Sequence, residues 1–265
     1  MTHYTAMHPF IEVMRRYVVD YLQCQNPEVC AQIMEPDYVL YMGGTELGPR
    51  DENYVPAVVR QLQQFPGLGM TVNEIICNGD RLAMRFSQHG ASTKHEGRMA
   101  SWGGIGLYRW NGVRLTSNYA IEDYYTRRNQ LAAGVAQPVE SPAVAPWDTT
   151  IQPQNSGTED LVRERLISGE WDHLRNVAFD DEVAGSSGPL VAVETTVVDD
   201  LFSAGDTVAF HTTQTGTYVG GLDVAESSIG RTATLYSAGV VRLDNDVLHG
   251  RVIRERAALQ RLLSK

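Results

Sequence analysis

Apolar positions at helical spacing dominate the first part of the chain. Residues 8–23 carry an apolar side chain at every third or fourth position, which predicts an amphipathic helix. A shorter helix is expected at 27–34, because proline is tolerated in a first turn. A third helix is expected at 49–65, where Pro66-Gly67 ends the pattern, and a short strand at 37–42 lies between the two.

The spacing then changes to that of β-strands. Long extended runs are expected at 71–77, 81–93, 98–110 and 113–122. Asn78-Gly79 and Asn111-Gly112 separate two pairs of these runs, and both dipeptides accept the positive φ angles of tight antiparallel turns. Helices followed by a curled antiparallel sheet predict an α+β unit.

The same order of motifs occurs twice, which predicts an internal duplication. The matching segments are Gly79-Asp80 with Gly205-Asp206, Gln88-x-Gly90 with Gln214-x-Gly216, 105–115 with 238–248, and 121–131 with 253–263. The second copy keeps the sheet and an opening helix, which is expected at 158–176. It has no clear counterpart of the helix at 49–65, so its pocket is expected to be less complete.

A segment rich in proline and alanine separates the two copies. Residues 132–156 hold four of the eleven prolines and no lysine or arginine, which is typical of an extended linker. We therefore expect a first domain at 1–131 that carries the activity, a linker at 132–156, and a second, degenerate domain at 157–265. The two domains are expected to pack as an intrachain pseudo-dimer, and pairing of two chains into a homodimer stays open.

Composition and charge narrow the class of protein. Of the 265 residues, 43% are hydrophobic and 20% are charged, which indicates a packed protein rather than a disordered one. The formal net charge of −10 argues against nucleic acid or an anionic membrane as the general partner. No apolar run approaches the length of a membrane span, and no signal-peptide pattern is visible. Cys24, Cys30 and Cys77 form no CxxC pair and are expected to be buried, reduced thiols of a cytoplasmic protein.

Several short motifs occur in the order found in one known family. They are Phe65-Pro66, Gly79-Asp80, Gly106 to Arg109, Asn111-Gly112, Asp123 and Gln130-Leu131. In this order and spacing, residues 8–131 resemble the SnoaL-like polyketide cyclases of the nuclear transport factor 2-like superfamily, and 157–263 resemble them more weakly. The resemblance implies two tandem cone-shaped α+β barrel domains, each with helices packed on a curved antiparallel sheet. It also implies an apolar cone that holds one or two acid/base side chains.

The resemblance further implies that Asp123 is catalytic, because the family often places an aspartate at the end of the last strand. A carboxylate lined by tyrosines and apolar walls would be desolvated and could exchange protons near neutral pH. The alternative is that Asp123 pairs with Arg127 or Arg128, or caps the tail. Glu122, its neighbour, is expected to point to the opposite face as a solvated or ion-paired side chain.

Two further residues are candidate catalytic groups. His89 could form an acid/base pair with Asp123, although its strand neighbours also suit a surface position. Tyr38 could donate a proton or hold a developing oxyanion. The candidates for the pocket lining are Tyr41, Trp102, Tyr108, Asn118 and Tyr119, each of which could instead be an ordinary core residue.

The second copy carries different residues at the corresponding positions. Glu255 replaces Asp123, and its neighbours Arg254 and Arg256 would keep it ionised and paired. We therefore expect this copy to be structural or to hold a second pocket with altered chemistry. Candidate ligand residues in it are His211, Gln214 and Tyr236.

The sequence lacks the signatures of nucleotide and zinc sites, since it has no GxGxxG after a strand, no GxxxxGK[ST] and no HExxH. We expect chemistry without cofactor or metal on a small hydrophobic molecule. The first hypothesis is an acid/base enzyme that cyclises, isomerises or dehydrates a mid-sized carbonyl or hydroxyl compound of the polyketide, steroid or terpenoid type. The alternatives are an epoxide hydrolase or cyclase of the tandem polyether type, and a non-catalytic ligand-binding or assembly module.

Overall fold

The computed structural model describes residues 7–169, 176–180, 188–245 and 247–264. The N-terminal unit begins with helix α1 (Pro9–Arg16) and its π-helical continuation (Tyr17–Gln23), followed by a 3-10 turn (Pro27–Val29) that leads into α2 (Cys30–Ile33). Strands β1 (Met34–Met42) and β2 (Thr45–Leu47) come next, and a π-helical turn (Arg50–Tyr54) then leads into α3 (Val55–Gln64). The unit ends with strands β3 (Gly69–Cys77), β4 (Arg81–Ser92), β5 (Arg98–Trp110) and β6 (Leu115–Glu122) and helix α4 (Tyr124–Ala133). The C-terminal unit contains helix α5 (Ser156–Ser168), strands β7 (Val177–Phe179), β8 (Val191–Ala204), β9 (Thr207–Tyr218), β10 (Thr232–Asp244) and β11 (Val247–Arg254), and helix α6 (Arg256–Leu263).

The three helices expected in the N-terminal unit are confirmed, with small changes at their ends. The first begins at Pro9, where the His8 side chain accepts a backbone hydrogen bond at 3.2 Å. The second ends at Ile33, because the chain passes directly into β1. In the second copy the expected helix ends at Ser168, and its residues 170–175 lie outside the described ranges. No helix among the described residues is long and apolar enough to cross a membrane.

Each unit is built on a mixed sheet. The strand order is β2-β1-β6-β5-β4-β3 in the first sheet and β7-β11-β10-β9-β8 in the second. The long strands joined by hairpins are antiparallel, as predicted. Strands β1 and β7 instead join the last strand of their own meander, β6 and β11, in parallel. They can do so because the whole meander, rather than a tight turn, separates them from that strand in sequence.

The two sheets pack back to back through one shared apolar cluster. Besides Ala204, its buried members form five pairs at matching positions of the two copies: Ile76 with Phe202, Ala83 with Ala209, Ile105 with Ala238, Leu107 with Val240, and Ile121 with Ile253. The other face of the first sheet packs on the helices of its own unit. Both faces of the long strands in the first sheet are therefore buried, although their side chains alternate between two different environments.

The proline-rich segment between the units lies along the first sheet. The backbone N–H of Ala143 donates to the carbonyl of Val72 at 2.8 Å, and that of Gln152 donates to the carbonyl of Cys77 at 3.0 Å. Both acceptors belong to β3, the edge strand of this sheet. Trp147 anchors the segment by packing on the core of the N-terminal unit. The segment thus covers edge groups that would otherwise be open to pairing with another chain.

Two of the three cysteines have the expected environment. Cys30 and Cys77 are free and buried, and burial raises the pKa of each thiol to about 11. The expectation of burial is wrong for Cys24, which is exposed. It follows the last π-helical turn, and the next residue, Gln25, already has a φ of 54° as the chain turns away.

Candidate active site

A cavity of about 380 Å³ opens into the N-terminal unit between its helices and its sheet. This volume is within the usual range for small-molecule sites. Its lining is apolar and aromatic except for three glutamines, the three cations Arg60, Lys94 and Arg127, and the single carboxylate Glu122. Within the described ranges, no group of three or more His, Cys, Asp or Glu side chains is gathered as a metal site would require.

Glu122 is the last residue of β6 and is only 7% exposed. Trp102, on the neighbouring strand, donates its indole N–H to Oε2 of this glutamate at 2.8 Å. Burial raises the pKa of the Glu122 carboxyl, and the Trp102 hydrogen bond and the charge of Arg127 oppose part of that rise. Glu122 is therefore a desolvated carboxylate in a fixed orientation, which can exchange a proton closer to neutral pH than an exposed glutamate can.

The expectation that Glu122 is a solvated or ion-paired side chain turned away from the pocket is wrong. Along β6, Ala120 and Glu122 face the helices and the cavity, whereas Tyr119 and Ile121 face the second sheet. Because both faces of this strand are buried, its apolar pattern does not show which face borders the pocket. Glu122 and Asp123 do point apart, but it is Glu122 that faces the cavity.

Asp123 lies at the start of α4, outside the described cavity lining. Its carboxylate accepts hydrogen bonds from the backbone N–H of Thr126 at 3.1 Å and from the Thr126 hydroxyl at 2.8 Å, which caps the helix. Arg256 of the C-terminal unit forms an ion pair with it in which both side chains are at most 1% exposed. The geometry is that of a helix cap and an inter-unit ion pair, and catalysis by Asp123 stays a prediction.

Four predicted site residues are buried beside the cavity. The Tyr38 hydroxyl donates to Oδ1 of Asn118, and Trp102 holds the cavity carboxylate. Tyr108 packs edge-on against Tyr17, with ring centroids 5.7 Å apart. The four are at most 2% exposed. They support the wall of the cavity, but the described lining does not include them.

Tyr17 and Tyr54 are the phenols of this core that reach the cavity directly, although neither was predicted to be a site residue. Their hydroxyl oxygens are 3.2 Å apart. Burial raises the pKa of both phenols, so both remain protonated and able to donate. Their only signal in the sequence is helical spacing, which indicates a core position and does not distinguish a pocket wall.

Tyr41, Tyr119 and His89 lie away from the cavity. The rings of Tyr41 and Tyr119 stack 4.7 Å apart on the sheet face that meets the C-terminal unit, where Tyr119 also contacts His211 at 4.9 Å. His89 follows Gln88 on β4 and therefore points to the opposite face from this cavity residue. His89 is thus not part of the cavity lining, and its predicted acid/base pairing with Asp123 stays a prediction.

A group of polar and cationic residues completes the cavity, and none of them was predicted to be a site residue. Gln61 Nε2 donates to Gln88 Oε1 at 2.8 Å. The Arg127 guanidinium lies 4.0 Å above the ring of Tyr124 and 5.0 Å from that of Trp102. The sequence does carry one signal, because Tyr124 and Arg127 are three residues apart on a helix that follows the carboxylate directly.

In the C-terminal unit, Arg254 occupies the position that the cavity carboxylate has in the first unit. It forms a buried ion pair with Asp180 at 2.6 Å. A cavity of about 500 Å³ in this unit is lined in part by Arg254 and Gln214. His211 and Tyr236 instead lie toward the N-terminal unit, so the three candidate ligand residues do not share one pocket.

Glu255 occupies the position of Asp123 and caps α6 by accepting a hydrogen bond from the backbone N–H of Ala258 at 3.1 Å. The expectation that the flanking arginines keep it ionised and paired is wrong. Arg254 and Arg256 form ion pairs with other carboxylates, and burial raises the pKa of Glu255 to about 7. Neighbouring arginines in sequence therefore do not determine its charge.

The stability of the protein is expected to fall as pH rises through the titration of Glu255. The carboxyl holds its proton up to about pH 7 when folded but only up to its ordinary value of 4.5 when unfolded, so the folded state binds more protons in this window. Between pH 5 and pH 8 the resulting loss is roughly 2–3 kcal/mol in the free energy of unfolding. Glu255→Gln should remove this part of the slope in urea unfolding experiments.

Glu46→Gln, at an exposed position of β2, is the matched control and should unfold with the wild-type pH dependence. As pH rises, the free energy of unfolding of Glu255→Gln should increase relative to that of wild type. Parallel curves for these two proteins would mean that Glu255 titrates as an ordinary glutamate.

Comparisons with known proteins concern the N-terminal unit above all. Residues 12–131 match the family model described as SnoaL-like polyketide cyclase, whereas no curated protein matches the chain. One similar solved structure, from Jannaschia sp. CCS1 and assigned to the SnoaL-like polyketide cyclases, is 15% identical, with a TM-score of 0.45 over 48% of this chain and 94% of that one. IdmH from Streptomyces antibioticus is 21% identical, with a TM-score of 0.41 over 46% of this chain and 96% of its own. TsrD from Streptomyces laurentii is 18% identical, with a TM-score of 0.41 over 47% of this chain and 96% of its own. Over residues 12–131, the N-terminal unit is therefore similar to the SnoaL-like polyketide cyclase family.

Proposed function

We propose that the N-terminal cavity is the active site of a cofactor-independent acid/base enzyme of the cyclase or isomerase type. Its substrate would be a mid-sized hydrophobic carbonyl or hydroxyl compound of the polyketide, steroid or terpenoid type. The observation that carries this proposal is Glu122, a buried carboxylate that borders an otherwise mainly apolar cavity. A buried carboxylate without a neutralising ion pair is costly, and sites of catalysis are where such groups are commonly found.

In the proposed reaction, ionised Glu122 removes a proton from the carbon next to a substrate carbonyl. The electron pair of that C–H bond moves toward the carbonyl oxygen, which becomes an enolate oxygen. Return of the proton from Glu122 to a different carbon isomerises the compound. Attack of the enolate carbon on a second carbonyl of the same molecule forms the new carbon–carbon bond of a cyclisation, and Glu122 then protonates the resulting alkoxide.

The developing negative charge has donors available in the same cavity. Arg127 supplies a fixed guanidinium, and Tyr17 and Tyr54 supply phenol groups that stay protonated. Hydrogen-bond donors and cations held in a desolvated site stabilise an oxyanion more strongly than water-exposed groups do. The N-terminal unit thus contains both the base and the electrophilic partners that enolisation needs.

The alternatives predict different site compositions. Epoxide opening by paired carboxylates needs two acids in one pocket, whereas the described lining contains one, Glu122. A binding-only module needs no carboxylate in the cavity. The lining therefore favours proton transfer by a single carboxylate, and a catalytic assay distinguishes it from binding alone.

The test is proton abstraction from 5-nitrobenzisoxazole, a small probe whose ring opens when a base removes its carbon-bound proton. Because only the ionised carboxylate acts as base, kcat/KM should rise with pH and level off above the raised pKa of Glu122. The apparent midpoint should lie above the ordinary glutamate value of 4.5. Ala57→Phe, which fills the cavity, should abolish the reaction. A midpoint at or below the ordinary value, or activity that survives Ala57→Phe, would contradict the proposal.

A further inference from the structure

The cavity has an excess of positive charge although the chain as a whole is acidic. Three cations line it, Arg60, Lys94 and Arg127, against the single carboxylate Glu122. The formal net charge of the chain is −10. The lining thus carries a net charge of two positive units with Glu122 ionised and three with Glu122 protonated, opposite in sign to the rest of the protein. A local field of this sign concentrates anions at the cavity.

Two of these cations are exposed and lie at the opening. Arg60 belongs to α3, and Lys94 belongs to the short 3-10 turn that follows β4. Hydrogen bonds hold this turn against the end of α3, since Thr93 Oγ1 donates to the carbonyl oxygens of Gln63 at 3.3 Å and Gln64 at 3.2 Å. The structure therefore keeps the elements that carry both cations together at one rim.

The two cations at this opening, Arg60 and Lys94, have no carboxylate partner in the part of the chain that the structure describes. Arg60, Lys94 and Arg127 form no ion pair with any residue in the described ranges. By contrast, Arg85 on the same sheet has two carboxylate partners, Glu74 and Glu140. Cations without carboxylate partners at the entrance of an apolar cavity are available to an anionic ligand.

We propose that the substrate is an amphipathic anion, with an apolar body inside the cavity and a carboxylate or phosphate group held at the rim by Arg60 and Lys94. This inference rests on the proposed function only for the location of the site. Anchoring one end of the substrate at the rim leaves its apolar body to extend toward Glu122. The rim therefore fixes which part of the molecule meets the base, as a positioning contact does in other enzymes.

The test uses two fluorescent probes with the same apolar body. 1-Anilinonaphthalene-8-sulfonate carries an anionic group, and N-phenyl-1-naphthylamine is the same compound without it. The double variant Arg60→Gln/Lys94→Gln should weaken binding of the anionic probe about tenfold, since each contact is a partly exposed charge interaction. It should leave binding of the neutral probe unchanged. Raising the salt concentration should reduce the preference of wild type for the anionic probe.

The matched control is Arg15→Gln/Arg163→Gln, which removes two exposed arginines elsewhere and changes the net charge equally. This control should retain the wild-type preference for the anionic probe. Equal effects of the two double variants, or a preference that persists when Ala57→Phe fills the cavity, would overturn the proposal. Displacement of the anionic probe by 1-naphthoate and by 1-naphthyl phosphate, with 1-naphthol as the neutral comparison, distinguishes the two anionic groups.

The two proposals fail in different ways. If the protein shows no preference for the anionic probe but still abstracts the proton, the proposal of an amphipathic anionic substrate is wrong and the acid/base function stands. Conversely, if the protein prefers the anionic probe but abstracts no proton, the cavity is a binding site for amphipathic anions and the proposed enzymatic function is wrong.

Discussion

Glu122→Gln is expected to lower kcat/KM for proton abstraction from 5-nitrobenzisoxazole by about 10²- to 10⁴-fold, the usual contribution of a positioned general base. Glutamine has nearly the same shape, and its carbonyl oxygen can still accept the hydrogen bond that Trp102 donates to the carboxylate. The variant therefore removes the basic group and leaves the cavity wall in place. Because burial disfavours the charged form of Glu122, the substitution is not expected to destabilise the fold at neutral pH.

Two further variants make this result specific. Glu122→Asp keeps a carboxylate but withdraws it by one methylene group, so an intermediate rate is expected, whereas the exposed Glu46→Gln should retain the wild-type rate. Initial rates across the pH range, together with urea unfolding of each protein, separate a chemical effect from loss of folded protein. If Glu122→Gln lowers kcat/KM by less than threefold, Glu122 is not the catalytic base.

Arg256→Met is expected to cost about 3–5 kcal/mol in the free energy of unfolding, the penalty for removing one partner of a buried ion pair. Arg256 contacts Asp123 and Thr126 of the other unit, and its Nε lies 3.4 Å from Asp180. Both side chains of the Arg256–Asp123 pair are at most 1% exposed, so water cannot replace the lost guanidinium. Urea unfolding at constant pH measures the loss.

A double-mutant cycle isolates this pair. Asp123→Asn removes the charge but keeps an oxygen that can cap α4, so its cost reports the ion pair rather than the cap. The double variant should cost less than the sum of the two single variants, because each single variant leaves one charged partner of this pair behind, whereas the double variant removes both charges. Arg114→Met, which removes a more exposed pair with Glu35, should cost about 1 kcal/mol or less. A similarly small cost for Arg256→Met would show that the buried pair contributes little.

Much of the fold follows from sequence periodicity. The helices at 8–23 and 49–65 and the four long strands have the expected type, because long periodic segments of one kind are well determined by their side-chain spacing. The duplicated motifs also locate the shared core, since matching positions of the two copies meet between the sheets. The parallel attachment of β1 could not be predicted in this way, because edge position depends on long-range packing rather than on local spacing.

The site was less predictable for a physical reason. An alternating strand identifies its pocket face when one face is polar, but β6 is buried on both faces. Position alone therefore could not decide between Glu122 and Asp123, and the resemblance to the family favoured Asp123. The adjacent pair Asn118 and Tyr119 shows the same limit, because neighbours on a strand cannot line one pocket. The sequence pointed to the end of β6 as a candidate region, whereas the orientation of each side chain there required the three-dimensional structure.

The contact between the N-terminal ends of α4 and α6 has a consequence for how such a chain can evolve. On one side, the capping carboxylate Asp123 forms an ion pair with Arg256. On the matching side, the capping carboxylate is Glu255 and the residue at the position of Arg256 is Tyr124. Burial raises the pKa of the Tyr124 phenol most, and the charges of Glu122 and then Glu255 raise it further. Two identical subunits would have to place the same residue on both sides of their interface. Fusion of the copies in one polypeptide lets each side mutate alone, so the C-terminal copy can specialise in holding its neighbour while the N-terminal copy retains its pocket. Two detached N-terminal units would therefore lack the arginine that this interface requires.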